Sequence, residues 1–125
     1  MSRRILIAED ERPIRELLQV LLSDEGYQVT AVCDGQEGLD ALANATYDLV
    51  LSNVAMPRLD GRELARAMHA DPTLQAIPII LMSAVGATLL RGIPHTAFVP
   101  KPFDLGHMLD VVEQVLAVTG EEATG

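Results

Sequence analysis

Short apolar runs alternate along this chain with longer segments in which apolar residues recur every three or four positions. The runs cover residues 5–8, 29–32, 49–52, 79–82 and 98–100. Their length and their content of branched aliphatic residues are typical of buried strands, and the periodic segments between them are typical of crossover helices. The pattern therefore predicts an α/β domain built on a parallel sheet.

The clearest helical pattern covers residues 12–25, where apolar residues follow the i, i+3, i+4, i+7 spacing. Pro13 stands near its first turn and Gly26 follows its end, which are preferred positions for these two residue types. Similar spacing predicts helices over residues 35–45, 60–70 and 104–118. Asp60 and Asp104 are suitable N-caps for the last two of these helices.

The segment between the fourth and fifth runs is short for a crossover helix. Gly86, Gly92 and Pro94 leave only about residues 84–91 able to be helical. A crossover connection needs roughly 10–12 residues at minimum. We therefore expect a shortened fourth helix.

One domain accounts for the chain. All predicted elements fall within residues 1–118, and 49% of the 125 residues are hydrophobic, which is enough to form one core. Residues 119–125 are polar and contain glycine. We expect them to form a flexible polar tail.

The formal net charge of −9 argues against direct binding to nucleic acid, because contacts to phosphates need clustered lysine and arginine. No apolar stretch is long enough for a membrane span or for the core of a signal peptide. The single cysteine, Cys33, permits no internal disulfide and no cysteine cluster for zinc. We expect a cytoplasmic protein with no direct nucleic-acid or membrane partner.

Chemically distinctive residues follow four of the five apolar runs. Glu9 and Asp10 follow the first run, Asn53 the third, Ser83 the fourth and Lys101 the fifth. Because ligands of a parallel sheet bind beyond the carboxyl ends of its strands, we expect these side chains to gather at one edge. Taken singly, an acidic pair at a helix start, a serine in a turn and a surface lysine are all ordinary features. As a set, they suit a divalent cation beside a phosphoryl group.

Four stretches of the sequence resemble the receiver domain of two-component response regulators. They read ILIAEDE (5–11), DLVLSNVAMPRLDG (48–61), PIILMSA (78–84) and FVPKPF (98–103). The resemblance covers essentially the whole chain. It implies a flavodoxin-like, doubly wound sheet of five parallel strands in the order 2-1-3-4-5, with helices on both faces.

The resemblance also implies a magnesium site. Glu9 and Asp10 match the family's acidic pair, with Asp10 the more direct ligand, and Ala55 matches the residue that offers its backbone carbonyl to the metal. Residue 53 stands where the family has the aspartate that accepts the phosphoryl group. The implied cofactor is therefore Mg²⁺, held by Glu9, Asp10, Asn53 and Ala55.

Three further residues match family positions that respond to the phosphoryl group. The Ser83 hydroxyl and the Lys101 ammonium match the groups that contact phosphoryl oxygens. Ser83 and Phe98 match the two residues that move on activation. The Lys101–Pro102 step matches the family's cis peptide bond.

Position 53 departs from the family pattern, because it holds Asn53 and not aspartate. An aspartate carboxylate attacks phosphorus and forms an acyl phosphate, whereas the neutral asparagine amide gives no comparable intermediate. Asn53 also removes one anionic ligand from a cation that prefers carboxylate oxygens. We therefore expect no phosphorylation at residue 53 and weakened binding of Mg²⁺.

Asn53 leaves two origins open. The chain is either a natural pseudo-receiver, controlled by partner binding, or an engineered Asp-to-Asn variant of an ordinary receiver. In both cases the resemblance implies a signalling module and not an enzyme, with phosphoryl uptake expected only if residue 53 were aspartate. The implied partners are a histidine kinase or phosphotransfer protein and an output domain or effector protein. A homodimer through the family's fourth helix, fifth strand and fifth helix is a further option.

A flavodoxin-like protein that binds a cofactor or another small ligand is the alternative on the same architecture. Flavodoxins carry a phosphate loop rich in serine, threonine and glycine after the first strand, whereas residues 9–11 are acidic and would repel a phosphate. The glycine motifs of dinucleotide-binding proteins and of P-loop enzymes are also missing from the sequence. The sequence therefore favours the receiver.

Overall fold

The computed structural model describes the backbone of residues 2–124 and the side chains of residues 2–118. The strands are β1 (Arg4–Ala8), β2 (Gln28–Val32), β3 (Leu49–Asn53), β4 (Ile79–Ser83) and β5 (Ala97–Pro100). The α-helices of the described residues are α1 (Arg12–Asp24), α2 (Gly35–Asn44), α3 (Gly61–Ala70) and α4 (Leu105–Thr124). A short 3-10 helix, η1 (Ala87–Leu90), lies between β4 and β5.

All five strands are parallel and lie in the order β2-β1-β3-β4-β5, which confirms the predicted topology. The central strand β3 lies between β1 and β4. Ala8 pairs with Ser52, and Asn53 pairs with Met82, so these three strands end side by side. The residues that follow them are therefore brought to one edge of the sheet.

Two apolar cores lie on opposite faces of the sheet, because successive residues of a strand point to opposite faces. Ile5 and Ile7 of β1 belong to the core that α1 and α4 cover, and Leu6 and Ala8 belong to the core that α2 and α3 cover. These four of the five β1 side chains are fully buried. This arrangement confirms the prediction of helices on both faces.

Aspartate side chains cap the starts of three helices. Asp60 accepts hydrogen bonds from the N–H groups of Arg62 and Glu63, and the Glu63 carboxylate accepts one from the Asp60 N–H, which completes a capping box at α3. Asp104 accepts from the Gly106 N–H at 3.1 Å, and Asp34 accepts from the Glu37 N–H at 2.9 Å. The predicted caps Asp60 and Asp104 are confirmed; the Asp34 cap was not predicted.

The helix in the crossover between β4 and β5 is even shorter than the sequence indicated. The only helix found there within the described residues is η1, which is a single 3-10 turn. Its hydrogen bonds are long, at 3.3 Å from the Leu89 N–H to the Gly86 carbonyl and 3.3 Å from the Arg91 N–H to the Thr88 carbonyl. Leu90 is the one buried residue of the turn. The predicted shortening of the fourth helix is confirmed.

The last helix, α4, is longer than predicted. Its backbone continues past Val118 to Thr124, since Glu121, Glu122 and Ala123 all have high helix propensity. The predicted domain of residues 1–118 and the predicted flexible tail at 119–125 stay predictions, because the tail falls on residues whose side chains lie outside the described part. Among the described helices, none has both the length and the apolar character that a membrane crossing requires.

Candidate functional site

The carboxyl edge of the sheet brings the predicted site residues together. Glu9 follows β1, Asn53 ends β3, Ser83 ends β4 and Lys101 follows β5. Glu9, Asn53 and Ser83 are buried, whereas Asp10 is exposed. Direct side-chain contacts join Glu9 to Lys101 and Asp10 to Asn53. The clustering expected from the strand ends is therefore present.

Asn53 uses its amide nitrogen to join two of the predicted magnesium ligands. Nδ2 donates to Asp10 Oδ1 at 3.1 Å and to the Ala55 carbonyl oxygen at 2.8 Å. Both acceptors are oxygens with no proton to donate, so the reversed amide would place its own oxygen against them. The two contacts therefore fix the orientation of the side chain, which is only 6% exposed.

Lys101 forms an ion pair with Glu9 inside the site. Nζ lies 2.6 Å from Glu9 Oε1, and the two side chains are 10% and 0% exposed. Glu9 Oε2 accepts a further hydrogen bond from the Glu11 N–H at 3.1 Å. Burial raises the pKa of the Glu9 carboxyl above its ordinary value, although the contacts with Lys101 and Glu11 oppose that rise. The lysine thus compensates a carboxylate that no solvent reaches.

Arg15 also belongs to this site, which the sequence did not indicate. Its NH1 atom donates to the Glu9 carbonyl at 2.9 Å and to the Asp10 carbonyl at 3.4 Å, so α1 holds the loop that carries both acidic side chains. Spacing could have suggested this role, since Arg15 lies one turn into the helix that follows the acidic pair.

Within residues 2–118, no group of three or more histidine, cysteine, aspartate or glutamate side chains is placed to hold a metal ion.

The two predicted switch residues lie on neighbouring strands. The Ser83 hydroxyl accepts a hydrogen bond from the Val85 N–H at 3.0 Å, and the Ser83 carbonyl accepts one from the Lys101 N–H at 2.8 Å. Phe98 is half-buried and packs against the core that α2 and α3 cover. The Lys101–Pro102 peptide bond is cis, as the resemblance implied. The switching roles of Ser83 and Phe98 stay predictions.

The loop that follows Asn53 is held by a second ion pair, which the sequence did not reveal. Arg58 has a φ of 65°, and its guanidinium donates to Asp34 Oδ2 through Nε at 2.8 Å and through NH2. Burial would raise the pKa of the Asp34 carboxyl, but the Glu37 N–H and the Arg58 guanidinium hold it below its ordinary value. The Arg58–Asp34 ion pair thus joins the β3–α3 loop to the start of α2.

Two glycines allow this loop to approach its neighbours closely. The Gly35 N–H donates to the Leu59 carbonyl at 2.9 Å, and a Cβ atom at Gly35 would overlap that carbonyl. A Cβ atom at Gly61 would likewise overlap the Asn53 carbonyl oxygen. Both contacts therefore require the absence of a side chain and set the position of the backbone around residue 53.

Comparison with known proteins decides the family. Residues 5–113 match the model of the response regulator receiver domain. The chain belongs to the response regulator receiver family. Response regulator MprA from Mycobacterium sp. (strain KMS) is 37% identical to this receiver over 126 aligned positions, which cover 98% of the receiver and 54% of MprA. The receiver therefore spans about half the length of that relative.

Solved structures show the same fold. The signal receiver domain of a signal transduction histidine kinase from Syntrophus aciditrophicus has a TM-score of 0.87 and 31% identity, covering 93% of this receiver and 91% of that chain. The receiver domain of a sensor histidine kinase from Pseudomonas aeruginosa PAO1, solved with a magnesium ion coordinated in its active site cleft, has a TM-score of 0.86 and 24% identity, covering 94% and 99%. The family match favours the receiver over the flavodoxin-like alternative.

Proposed function

We propose that this receiver is a signalling module that takes up no phosphoryl group at residue 53. The observation that carries the proposal is the buried Asn53 side chain, which presents its amide nitrogen to Asp10 and Ala55. An aspartyl nucleophile needs a charged oxygen that can bond to phosphorus. The Asn53 amide is uncharged and its NH₂ group is engaged as a donor, so it supports no acyl phosphate.

Weak magnesium binding is part of the same proposal. As they lie, the four predicted ligands do not fit a magnesium ion. Lys101 Nζ donates to one carboxylate oxygen of Glu9. Asn53 Nδ2 donates to one carboxylate oxygen of Asp10 and to the Ala55 carbonyl. Mg²⁺ requires oxygen ligands in near-octahedral geometry. Binding would have to displace these donors, which lowers the affinity. The magnesium-containing receiver from P. aeruginosa supports the assignment of this pocket as the family's metal site.

Partner binding carries the signal in this proposal. The partners are a histidine kinase or phosphotransfer protein and an output domain or effector, and the compartment is the cytoplasm. A homodimer through β5, α4 and the η1 crossover is a further form of association. Both origins of Asn53, natural and engineered, are compatible with this function, since each leaves Ser83 and Lys101 in place without an acceptor.

Phosphoryl uptake tests the proposal directly. The chain and its Asn53→Asp variant are incubated with acetyl phosphate and Mg²⁺, and acid-labile phosphate is measured by intact-protein mass spectrometry. We expect uptake by the Asp variant alone, because the remaining phosphoryl-contacting side chains are present. Asn44→Asp is the matched control: it makes the same substitution at an exposed position of α2 and should take up nothing. Equal uptake by the unmodified chain, or none by Asn53→Asp, would refute the proposal.

A further inference from the structure

We propose that the Asn53 amide takes the place of the divalent cation, so that the pocket keeps its arrangement without metal; this rests on the assignment of residue 53 as the acceptor position. A magnesium ion in this pocket would attract the Asp10 carboxylate and the Ala55 carbonyl. In this chain the Asn53 NH₂ group donates one hydrogen bond to each of these oxygens, at 3.1 and 2.8 Å. The amide therefore makes the connection that the ion would otherwise make.

The buried charge of the pocket is compensated by the chain itself. Glu9 is fully buried and pairs with the Lys101 ammonium at 2.6 Å. Asp10 is exposed to solvent and receives the Asn53 amide, and the Arg15 guanidinium lies on the backbone carbonyls of both acidic residues. Among the described residues, every buried side-chain nitrogen and oxygen has a hydrogen-bond partner. Within the described pocket, no buried side-chain nitrogen or oxygen thus depends on an external cation for a partner.

An aspartate at position 53 would reverse this state. Its carboxylate would face Asp10 Oδ1 and the Ala55 carbonyl with no proton to donate, and it would add a third carboxylate beside Glu9 and Asp10. Like charges at such separation disfavour the ionised forms unless a cation intervenes. The Asp variant should therefore need the divalent cation that the unmodified chain dispenses with.

Asn53→Ala separates this idea from a second role for Asn53. If the amide replaces the ion, its removal leaves Asp10 and Ala55 without a donor, and Mg²⁺ should restore part of the lost stability. If Asn53 instead bound the ion through Oδ1, its removal would weaken the response to Mg²⁺. The alanine variant therefore gives opposite results under the two roles.

Thermal unfolding in EDTA and in about 10 mM MgCl₂ tests the inference on the full chain. We expect the midpoint of the unmodified chain to change by less than about 1 °C, and that of Asn53→Asp to be lower in EDTA and to rise by at least about 4 °C with Mg²⁺. Asn53→Ala should show an intermediate rise. Asn44→Asp controls for the added charge and should respond like the unmodified chain. A rise in the unmodified chain that equals or exceeds that of Asn53→Ala would overturn the inference.

The Asn53 side-chain NH₂ resonances supply a second measurement that needs no variant to be stable. In a ¹H–¹⁵N spectrum they should keep their positions when MgCl₂ replaces EDTA, and a large shift would overturn the inference.

The phosphoryl-uptake experiment and the magnesium experiment test the proposed function and this inference separately. Uptake by Asn53→Asp with a magnesium-sensitive unmodified chain leaves the proposed function standing and removes this inference. The opposite result is an unmodified chain that does not respond to Mg²⁺ and an Asn53→Asp variant that responds to Mg²⁺ but takes up no phosphate. It would leave this inference standing and remove the proposed function.

Discussion

Arg58 donates two guanidinium hydrogen bonds to the buried carboxylate of Asp34, and this pair joins the loop after Asn53 to the start of α2. The Arg58 side chain is 62% exposed, whereas the Asp34 side chain is 4% exposed. The pair therefore depends on the ionisation of one buried acid. Its contribution to folding should vary with pH.

Arg58→Ala should destabilise the domain at neutral pH more than in acid. The folded-state pKa of Asp34 lies below its ordinary value, so its contribution is complete above the unfolded-state pKa of about 3.9 and is lost as pH falls through the lower folded-state pKa. The urea midpoint of the variant should lie below that of the unmodified chain at pH 7, and the difference should shrink below about pH 4. Arg12→Ala removes the exposed pair with Glu16 and should change the midpoint little at either pH. A difference for Arg58→Ala that does not depend on pH would contradict this account.

Gly61→Ala should lower the free energy of unfolding by about 1–3 kcal/mol, because the new methyl group would meet the Asn53 carbonyl oxygen and force the backbone apart. Gly38→Ala is a matched control in a helix. Its Cβ would lie 3.5 Å from Leu64 Cδ2, which is ordinary contact, and it should gain up to about 1 kcal/mol from helix propensity. Urea unfolding monitored by circular dichroism measures both values. Equal losses for the two variants would mean that the close approach at Gly61 is not what limits substitution there.

Hydrogen exchange should be faster in residues 85–96 than in α1. The crossover has one 3-10 turn with long hydrogen bonds, and residues 84–89 are exposed. Few buried contacts and weak backbone hydrogen bonds permit local opening at low free energy. Exchange monitored by mass spectrometry on the free chain checks this, and protection of residues 85–96 should rise when a partner binds. Protection in the free chain equal to that of α1 would show the crossover to be rigid.

Local patterns were sufficient to predict most of the fold. The first three α-helices begin and end within one residue of their predicted limits, because caps such as Asp60 and stops such as Gly26 act on neighbouring residues. The end of α4 was missed, since polar residues with high helix propensity resemble a tail when only apolar periodicity is followed. The glycines, the proline and the length of the segment between β4 and β5 predicted a shortened helix, but not its reduction to the single 3-10 turn η1 that the described residues show.

The sequence indicated most of the residues that lie together at the carboxyl edge, but it indicated neither Arg15 nor the contacts between them. Strand ends gave Glu9, Asn53 and Lys101, but the pairing of Lys101 with Glu9 spans β3 and β4 and depends on the finished sheet. The direction of the Asn53 amide is likewise set by acceptors at Asp10 and Ala55 that meet only after folding. The pairing of Arg58 with Asp34 needed a left-handed backbone that no local signal marked.

Asn53 has nearly the shape of an aspartate, and it is buried. Asparagine and aspartate codons differ at the first base alone, so one A-to-G transition would exchange them without any change in packing. In the state that we propose, the exchange would replace an internal hydrogen-bond donor by a third carboxylate, whose charge dissolved magnesium would then have to offset. Under this proposal, one base change at codon 53 would give the receiver both a chemical input and a requirement for a dissolved cation.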